Sequence, residues 1–153
     1  MSTDEHSTQG KVILVSACLL ALPTRYDGES KERSGIRELA EENCLIPVCP
    51  EQLGGLPTPR PPAEIEEGDG EAVLAGNSAV TNELGDDVTN NYLDGAHCVL
   101  EIASVLDADL ALLKEGSPAC GVTRIKRADS DVQGMGVAAA LLAREAIETK
   151  GVE

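Results

Sequence analysis

The run KVILVSAC at residues 11–18 decides the fold, because an unbroken apolar stretch rich in β-branched residues ends directly on a cysteine. A stretch of this length without polar alternation is typical of a strand that is buried on both faces of a parallel sheet. Two further short apolar runs share this character, LIPV at 45–48 and LALLK at 110–114. The three runs predict the central strands of one sheet.

Helical patterns separate these strands. Residues 32–43 place apolar side chains on one face, residues 87–106 repeat them at intervals of three and four, and residues 136–149 are rich in alanine. Strands that alternate with helices predict a single α/β domain, a Rossmann-like three-layer fold with a mainly parallel sheet and right-handed crossovers. The segment EIEEGDGEAVLAG, 64–76, carries a Gly-Asp-Gly turn and predicts a peripheral hairpin.

Composition narrows the class of partner. The chain of 153 residues has 12 lysines and arginines against 27 aspartates and glutamates, a formal net charge of -15. Such a charge disfavours duplex nucleic acid and anionic membranes as partners, which leaves a small molecule as the expected one. Residues 1–10 are polar and predict a disordered leader before a domain at 11–153. No signal peptide or bilayer-spanning apolar run is present, so we expect a cytoplasmic protein.

A cysteine follows each of the three predicted strands: Cys18, Cys49 and, after a short loop, Cys120. Parallel strands end at one edge of the sheet, where ligands of open α/β folds bind, so we expect the three thiols to converge. Zinc takes four ligands in a structural site and three plus water in a catalytic one, whereas a cluster held by three cysteines leaves one iron open. Spacing alone leaves a metal centre, redox thiols and structural thiols as alternatives. We interpret Cys44 and Cys98 as small buried hydrophobic residues.

The segment PVCPEQLGGLPTPRPPAE, 47–64, places Cys49 two residues before Glu51 among several prolines. Proline fixes φ and removes a backbone donor, so the segment is predicted to be a stiff loop rather than a helix. A stiff loop that holds a thiol beside a carboxylate suggests a chemically reactive site. The alternative is a rigid connector with a buried cysteine.

Cationic and hydroxyl side chains are predicted in loops at the same edge: Arg25, Ser30, Lys31 and Arg60. Guanidinium groups suit phosphate, so this set predicts binding of an anionic substrate group such as a nucleotide phosphate. Ion pairing at the surface of an acidic protein is the alternative interpretation.

Four segments, VSACLLALPTRYDG, PVCPEQLGGLPTPRPPAE, LLKEGSPACG and GMGVAAALL, resemble those of the DUF523 (TudS-like) family. The resemblance runs from about Lys11 to Ile147, and its middle segment is long enough to be highly specific. The chain departs from the family at Ala21, where glycine is usual, and at Gly116, where a larger polar residue is common. These departures concern the pocket wall rather than the cysteines.

The resemblance implies that Cys18, Cys49 and Cys120 hold a [4Fe-4S] cluster with one open iron, and that Glu51 and Ser117 are catalytic. Without it, Ser117 is an ordinary turn hydroxyl before a proline. The implied activity is that of an iron-sulfur desulfidase, which removes sulfur as sulfide from thiouracil or a thiouridine nucleotide by non-redox hydrolysis. An iron-sulfur sensing protein without turnover and a zinc-dependent hydrolase are the alternatives.

Overall fold

A four-stranded parallel sheet forms the centre of the molecule. In the computed structural model, which describes residues 10–153, its order is β2 (Cys44–Val48), β1 (Val12–Ser16), β5 (Leu110–Lys114) and β8 (Glu148–Val152). Strand β1 pairs in parallel with β2 on one side and with β5 on the other. The first three strands are those predicted from apolar runs, so the predicted parallel α/β sheet is confirmed.

Apolar side chains project from both faces of the sheet, and each face packs against its own hydrophobic core. Leu14 and Leu113 pack into the larger core, beneath helices α4 (Thr89–Val105) and α5 (Val137–Arg144). Ile13 and Val15 point to the opposite face and pack with residues of the short helix α1 (Ser34–Glu38) and the turn after β1. Because successive side chains of a strand alternate, one continuous apolar run serves both cores. The result is the predicted three-layer arrangement.

The proline-rich segment contains one helical turn, which corrects the prediction of a loop without helix. Helix α2 covers Pro50–Leu53, with Cys49 as its N-cap residue in an extended conformation and Pro50 in the first turn. Proline is compatible with this position because the first backbone N–H groups of a helix have no intrahelical acceptor. Glu51 therefore lies in a helical turn rather than in an irregular loop.

The predicted hairpin at 64–76 is only partly right. Strands β3 (Ala63–Ile65) and β4 (Val80–Asn82) do pair antiparallel, but helix α3 (Gly70–Leu74) replaces the predicted second extended run. The Asp69 side chain accepts a hydrogen bond from the backbone N–H of Glu71, which caps this helix. Asp69 therefore starts a helix, where the prediction had it form the tip of a turn.

Two strand pairings were not predicted. The last helix ends at Arg144 rather than 149, and β8 follows it as an edge strand parallel to β5. Strands β6 (Arg124–Arg127) and β7 (Ser130–Gln133) form a hairpin whose two turn residues, Ala128 and Asp129, have positive φ. Helix α1 is also shorter than predicted, and the 3₁₀ turn Leu39–Glu41 follows it.

The predicted leader, residues 1–10, lies outside the described residues except for Gly10. Among residues 10–153, no helix combines the length and the apolar character that crossing a bilayer requires.

Candidate active site

Three cysteines from three strand ends line one cavity of about 590 Å³ at the carboxyl edge of the sheet. Cys18 lies in the 3₁₀ turn directly after β1, Cys49 follows β2, and Cys120 lies in the loop after β5. Their exposed fractions are 8%, 9% and 5% respectively. The structure therefore brings the three predicted thiols to the same place from segments far apart in the chain.

Burial keeps these thiols protonated. It raises the pKa of the Cys18 thiol to about 11, against the opposing charges of Arg25 and Lys114. Burial and then the nearby Glu51 carboxylate raise the pKa of Cys49, and the same two causes raise that of Cys120 well above its usual value. A metal group that binds here must therefore displace protons from the thiols.

Glu51 stands beside Cys49 and is held by Arg60. The Glu51 carboxylate lies 3.9 Å from the Cys49 sulfur and 3.5 Å from the Arg60 guanidinium, and the two charged side chains are 13% and 5% exposed. The guanidinium also donates to the carbonyls of Thr24 and Pro57, at 3.0 and 3.2 Å. A cation with so many protein partners orients the carboxylate and fixes the loop around it.

Ser117 lines the cavity and organises the loop that carries Cys120. Its hydroxyl oxygen accepts hydrogen bonds from the backbone N–H groups of Ala119 and Cys120, at 3.0 and 3.1 Å. A hydroxyl has one hydrogen to donate in addition to the lone pairs that accept these bonds. Ser117 is thus a turn residue by its contacts and can still donate its proton toward the cavity.

Glu115, which sequence reasoning did not single out, fixes the other end of this loop. Its buried carboxylate accepts hydrogen bonds from the backbone of Val122 at 2.7 Å and from the backbone and hydroxyl of Thr123. Although burial raises its pKa, the hydrogen bonds from Thr123 and Val122 lower it below the usual value. A charged residue directly after a central strand was the available signal.

The predicted substrate residues have different positions. Arg25 lines the cavity, pairs with Asp27 at 3.3 Å and lies over the Tyr26 ring. Arg60 also lines it but is engaged with Glu51 as described. Ser30 and Lys31 are not among the residues that line the cavity; the Lys31 backbone N–H instead binds the Cys18 carbonyl at 2.7 Å.

Other cationic side chains at the cavity were not in the predicted substrate set. They are Lys114, Arg124 and Lys126. Burial lowers the pKa of Lys114, opposed by Cys18, and the charges of Arg124 and Arg25 lower it further. The ammonium group of Lys114 donates to the Glu115 carbonyl at 3.1 Å. Cations and acids are balanced in the cavity lining, whereas the chain as a whole has a net charge of -15.

The prediction that Cys44 and Cys98 are buried is wrong. Cys44 and Cys98 are exposed, not buried, and Cys44 begins strand β2. Neither lines the cavity. Cys44 lies in the edge strand β2, and the Cys98 thiol lies 3.9 Å from the carbonyl oxygen of Leu53 while remaining exposed.

The donor set fits a cluster better than a single ion. Among residues 10–153, no three side chains of histidine, cysteine, aspartate or glutamate come close enough together to bind one metal ion. Three ligands of a single zinc ion must each approach it to about 2.0–2.3 Å. A cluster binds each thiolate to a different iron, so its ligands surround a larger volume. Three buried cysteines line one cavity here, and thiolates are the ligands that iron-sulfur clusters use.

Comparison with known proteins gives three results. The family model for 2-thiouracil desulfurase matches residues 13–152. The chain is 42% identical over 134 residues to the uncharacterized protein YbbK of Bacillus subtilis (strain 168), covering 86% of this chain and 89% of that protein. The solved structure of the [4Fe-4S]-dependent thiouracil desulfidase TudS has a TM-score of 0.80 at 40% identity, covering 92% of this chain and 90% of that one.

Proposed function

We propose that this chain, which belongs to the 2-thiouracil desulfurase family, removes sulfur as sulfide from a thiolated pyrimidine with the help of a [4Fe-4S] cluster. The observation that carries the proposal is one cavity lined by Cys18, Cys49 and Cys120 together with Glu51 and Ser117. The similar TudS structure is that of a [4Fe-4S]-dependent enzyme, which supports the choice of cofactor.

In this proposal Cys18, Cys49 and Cys120 hold the cluster. When bound, it supplies an iron without a protein ligand, a Lewis acid that attracts sulfur and polarises a carbon-sulfur bond. Binding requires three thiolates, which bury negative charge. Arg25 and Lys114 oppose that cost, since both favour the thiolate of Cys18.

Glu51 is proposed as the general base. Its carboxylate takes a proton from the water that attacks the ring carbon bearing sulfur, and Arg60 holds it in place for that step. The hydroxyl of Ser117 donates a proton to the departing sulfur or to the ring nitrogen. The reaction exchanges a thiocarbonyl and water for a carbonyl and hydrogen sulfide, so no electrons are gained or lost.

The substrate is proposed to be a thiouracil base or a thiouridine nucleotide. A cavity of about 590 Å³ lies within the usual range of about 300–1,000 Å³ for small-molecule sites. Of the cations predicted to bind phosphate, Arg25 has the least occupied guanidinium at the cavity, because Arg60 is committed to Glu51. If a phosphate is recognised, kcat/KM increases from thiouracil to its nucleoside monophosphate, and Arg25→Ala abolishes the difference.

The decisive experiment measures turnover of reconstituted protein without oxygen and without any reductant. We expect thiouracil to become uracil with one sulfide released, and we expect Glu51→Gln and Ser117→Ala each to lose roughly a hundredfold in rate at full cluster content. Replacing Cys18, Cys49 or Cys120 by serine should lower iron and sulfide content, with Cys44→Ser and Cys98→Ser as matched controls.

Several outcomes would contradict the proposal. A requirement for stoichiometric electrons would exclude hydrolysis. A stable cluster that never turns over thiouracil would favour a sensing protein, and bound zinc with no visible absorption would favour a zinc hydrolase. Wild-type rates in Glu51→Gln would remove Glu51 from the mechanism.

A further inference from the structure

Tyr92 is a deeply buried residue whose hydroxyl has no hydrogen-bond partner among residues 10–153. Its exposed fraction is 3%, yet it lines the same cavity as the three cysteines. Within residues 10–153, its hydroxyl forms no hydrogen bond, and no side-chain oxygen or nitrogen there is both sealed off and unpartnered. The hydroxyl therefore opens onto the cavity. A buried phenol usually satisfies its O–H, so this one is free for whatever binds there.

Two glycines allow helix α4, which carries Tyr92, to pack closely against helix α2. Gly54 lies one turn after Glu51, and Gly95 lies one turn after Tyr92 in helix α4. A Cβ on Gly95 would lie 1.9 Å from the carbonyl oxygen of Pro50, and one on Gly54 would lie 2.0 Å from that of Asn91. Only glycine at both places allows α2 and α4 to approach this closely. Helix α4, which carries Tyr92, therefore packs directly against α2, which carries Glu51.

The surroundings keep the phenol a hydrogen-bond donor. Burial raises the pKa of Tyr92 well above its usual value, and the charges of Glu51, Cys120 and Cys49 raise it further, while Arg60 opposes them. The hydroxyl hydrogen is therefore retained at neutral pH. Cys18, Cys49 and Cys120 line the same cavity as Tyr92, so a cluster bound there would place sulfur among the acceptors available to this hydroxyl.

We propose that the Tyr92 hydroxyl donates a hydrogen bond to a sulfur atom of the cluster held by Cys18, Cys49 and Cys120. This inference rests on the cofactor of the proposed function. A hydrogen bond to cluster sulfur withdraws negative charge from the irons, and such bonds are among the factors that set the reduction potential. Tyr92 would thereby make the cluster easier to reduce and its irons stronger Lewis acids.

The test compares Tyr92→Phe with wild-type protein after anaerobic reconstitution. This variant removes only the hydroxyl and keeps the ring that packs in the core. We expect equal iron and sulfide content and a reduction potential shifted to lower values in a spectroscopic redox titration. We also expect the iron-sulfur vibrations of the wild type to shift in heavy water, and those of Tyr92→Phe to shift less.

Tyr26→Phe is the matched control, because Tyr26 is the other of the chain's two tyrosines and lines the same cavity while 41% exposed. Its potential should equal that of the wild type. Equal potentials for wild type and Tyr92→Phe would overturn the inference, as would an equal shift in Tyr26→Phe. Turnover is measured separately: a lowered potential in a protein inactive on thiouracil would retain Tyr92 as the donor and reject the proposed activity.

Discussion

Replacing Arg60 by alanine should strongly destabilise the fold, even before any cofactor binds. The Arg60 side chain is 5% exposed and pairs with Glu51, whose side chain is itself only 13% exposed. The same guanidinium donates to the hydroxyl of Thr58 at 2.9 Å and to two backbone carbonyls. The variant would leave a buried carboxylate without its counter-charge and these acceptors without a donor.

The expected loss of stability can be estimated from the burial of this ion pair. Removing one partner of a buried ion pair costs about 3–5 kcal/mol, because the other charge stays buried and uncompensated. Hydrogen bonds to a charged group contribute about 1.5–3 kcal/mol each, but these losses overlap with the first and do not add to it. We therefore expect Arg60→Ala to lower the free energy of unfolding by about 3–5 kcal/mol. Small domains have only about 5–15 kcal/mol in total.

Urea denaturation of cluster-free protein measures this loss. Arg37→Ala is the matched control: Arg37 pairs with Glu32 at the shorter distance of 2.8 Å, but the two side chains are 60% and 39% exposed. An exposed pair contributes only about 0–1 kcal/mol, so this variant should be nearly as stable as the wild type. In a double-mutant cycle, Glu51→Gln combined with Arg60→Ala should show a coupling energy of about 1–3 kcal/mol.

A loss below about 1 kcal/mol for Arg60→Ala, or a loss equal to that of Arg37→Ala, would refute the reasoning. Additive effects of the Glu51 and Arg60 substitutions would show that the pair does not interact. In that case Arg60 would be available to a substrate anion, as the sequence suggested.

Two further predictions concern packing and pH. Gly95→Ala should destabilise the protein by about 1–3 kcal/mol because the added methyl group clashes with Pro50, although the same change in a helix usually stabilises by about 0.5–1 kcal/mol. Gly35→Ala is the control, because a methyl group there meets no other atom. Equal effects of the two substitutions in urea denaturation would contradict the glycine contact. Burial in the folded protein raises the pKa of the Cys18 thiol from 9.0 to about 11. The neutral thiol therefore favours folding below pH 9, and that contribution disappears as the pH rises through 11. The decline is on the order of 2–3 kcal/mol. Cys18→Ser should lose this share of the decline and keep the share that comes from the raised pKa values of Cys49 and Cys120; an identical decline in both proteins would contradict the assignment.

The sequence by itself determined the sheet and the edge at which the site forms. Uninterrupted apolar runs such as 12–16 and 110–114 are stable only with both faces covered, which forces a central parallel strand between helix layers. Parallel strands then bring the residues after them to one edge, so Cys18 and Cys49 could be placed together without coordinates. The DUF523 resemblance added the expected roles of the residues, which spacing did not supply.

Only the tertiary structure decided which side chains meet within that site. Helical periodicity marks Tyr92 as buried but does not say what it is buried against, and only the structure places it at the cavity that the three cysteines line. Nothing local to Arg60 shows that its partner is Glu51 rather than a ligand, because the pairing depends on how the proline segment returns to helix α2. Strand β8 is polar and hydrogen-bonded on one side only, so its pairing with β5 left no pattern in its own residues. Periodicity reports the environment of one segment, whereas these contacts join segments distant in the chain, and so they are decided only by how the folded layers pack together.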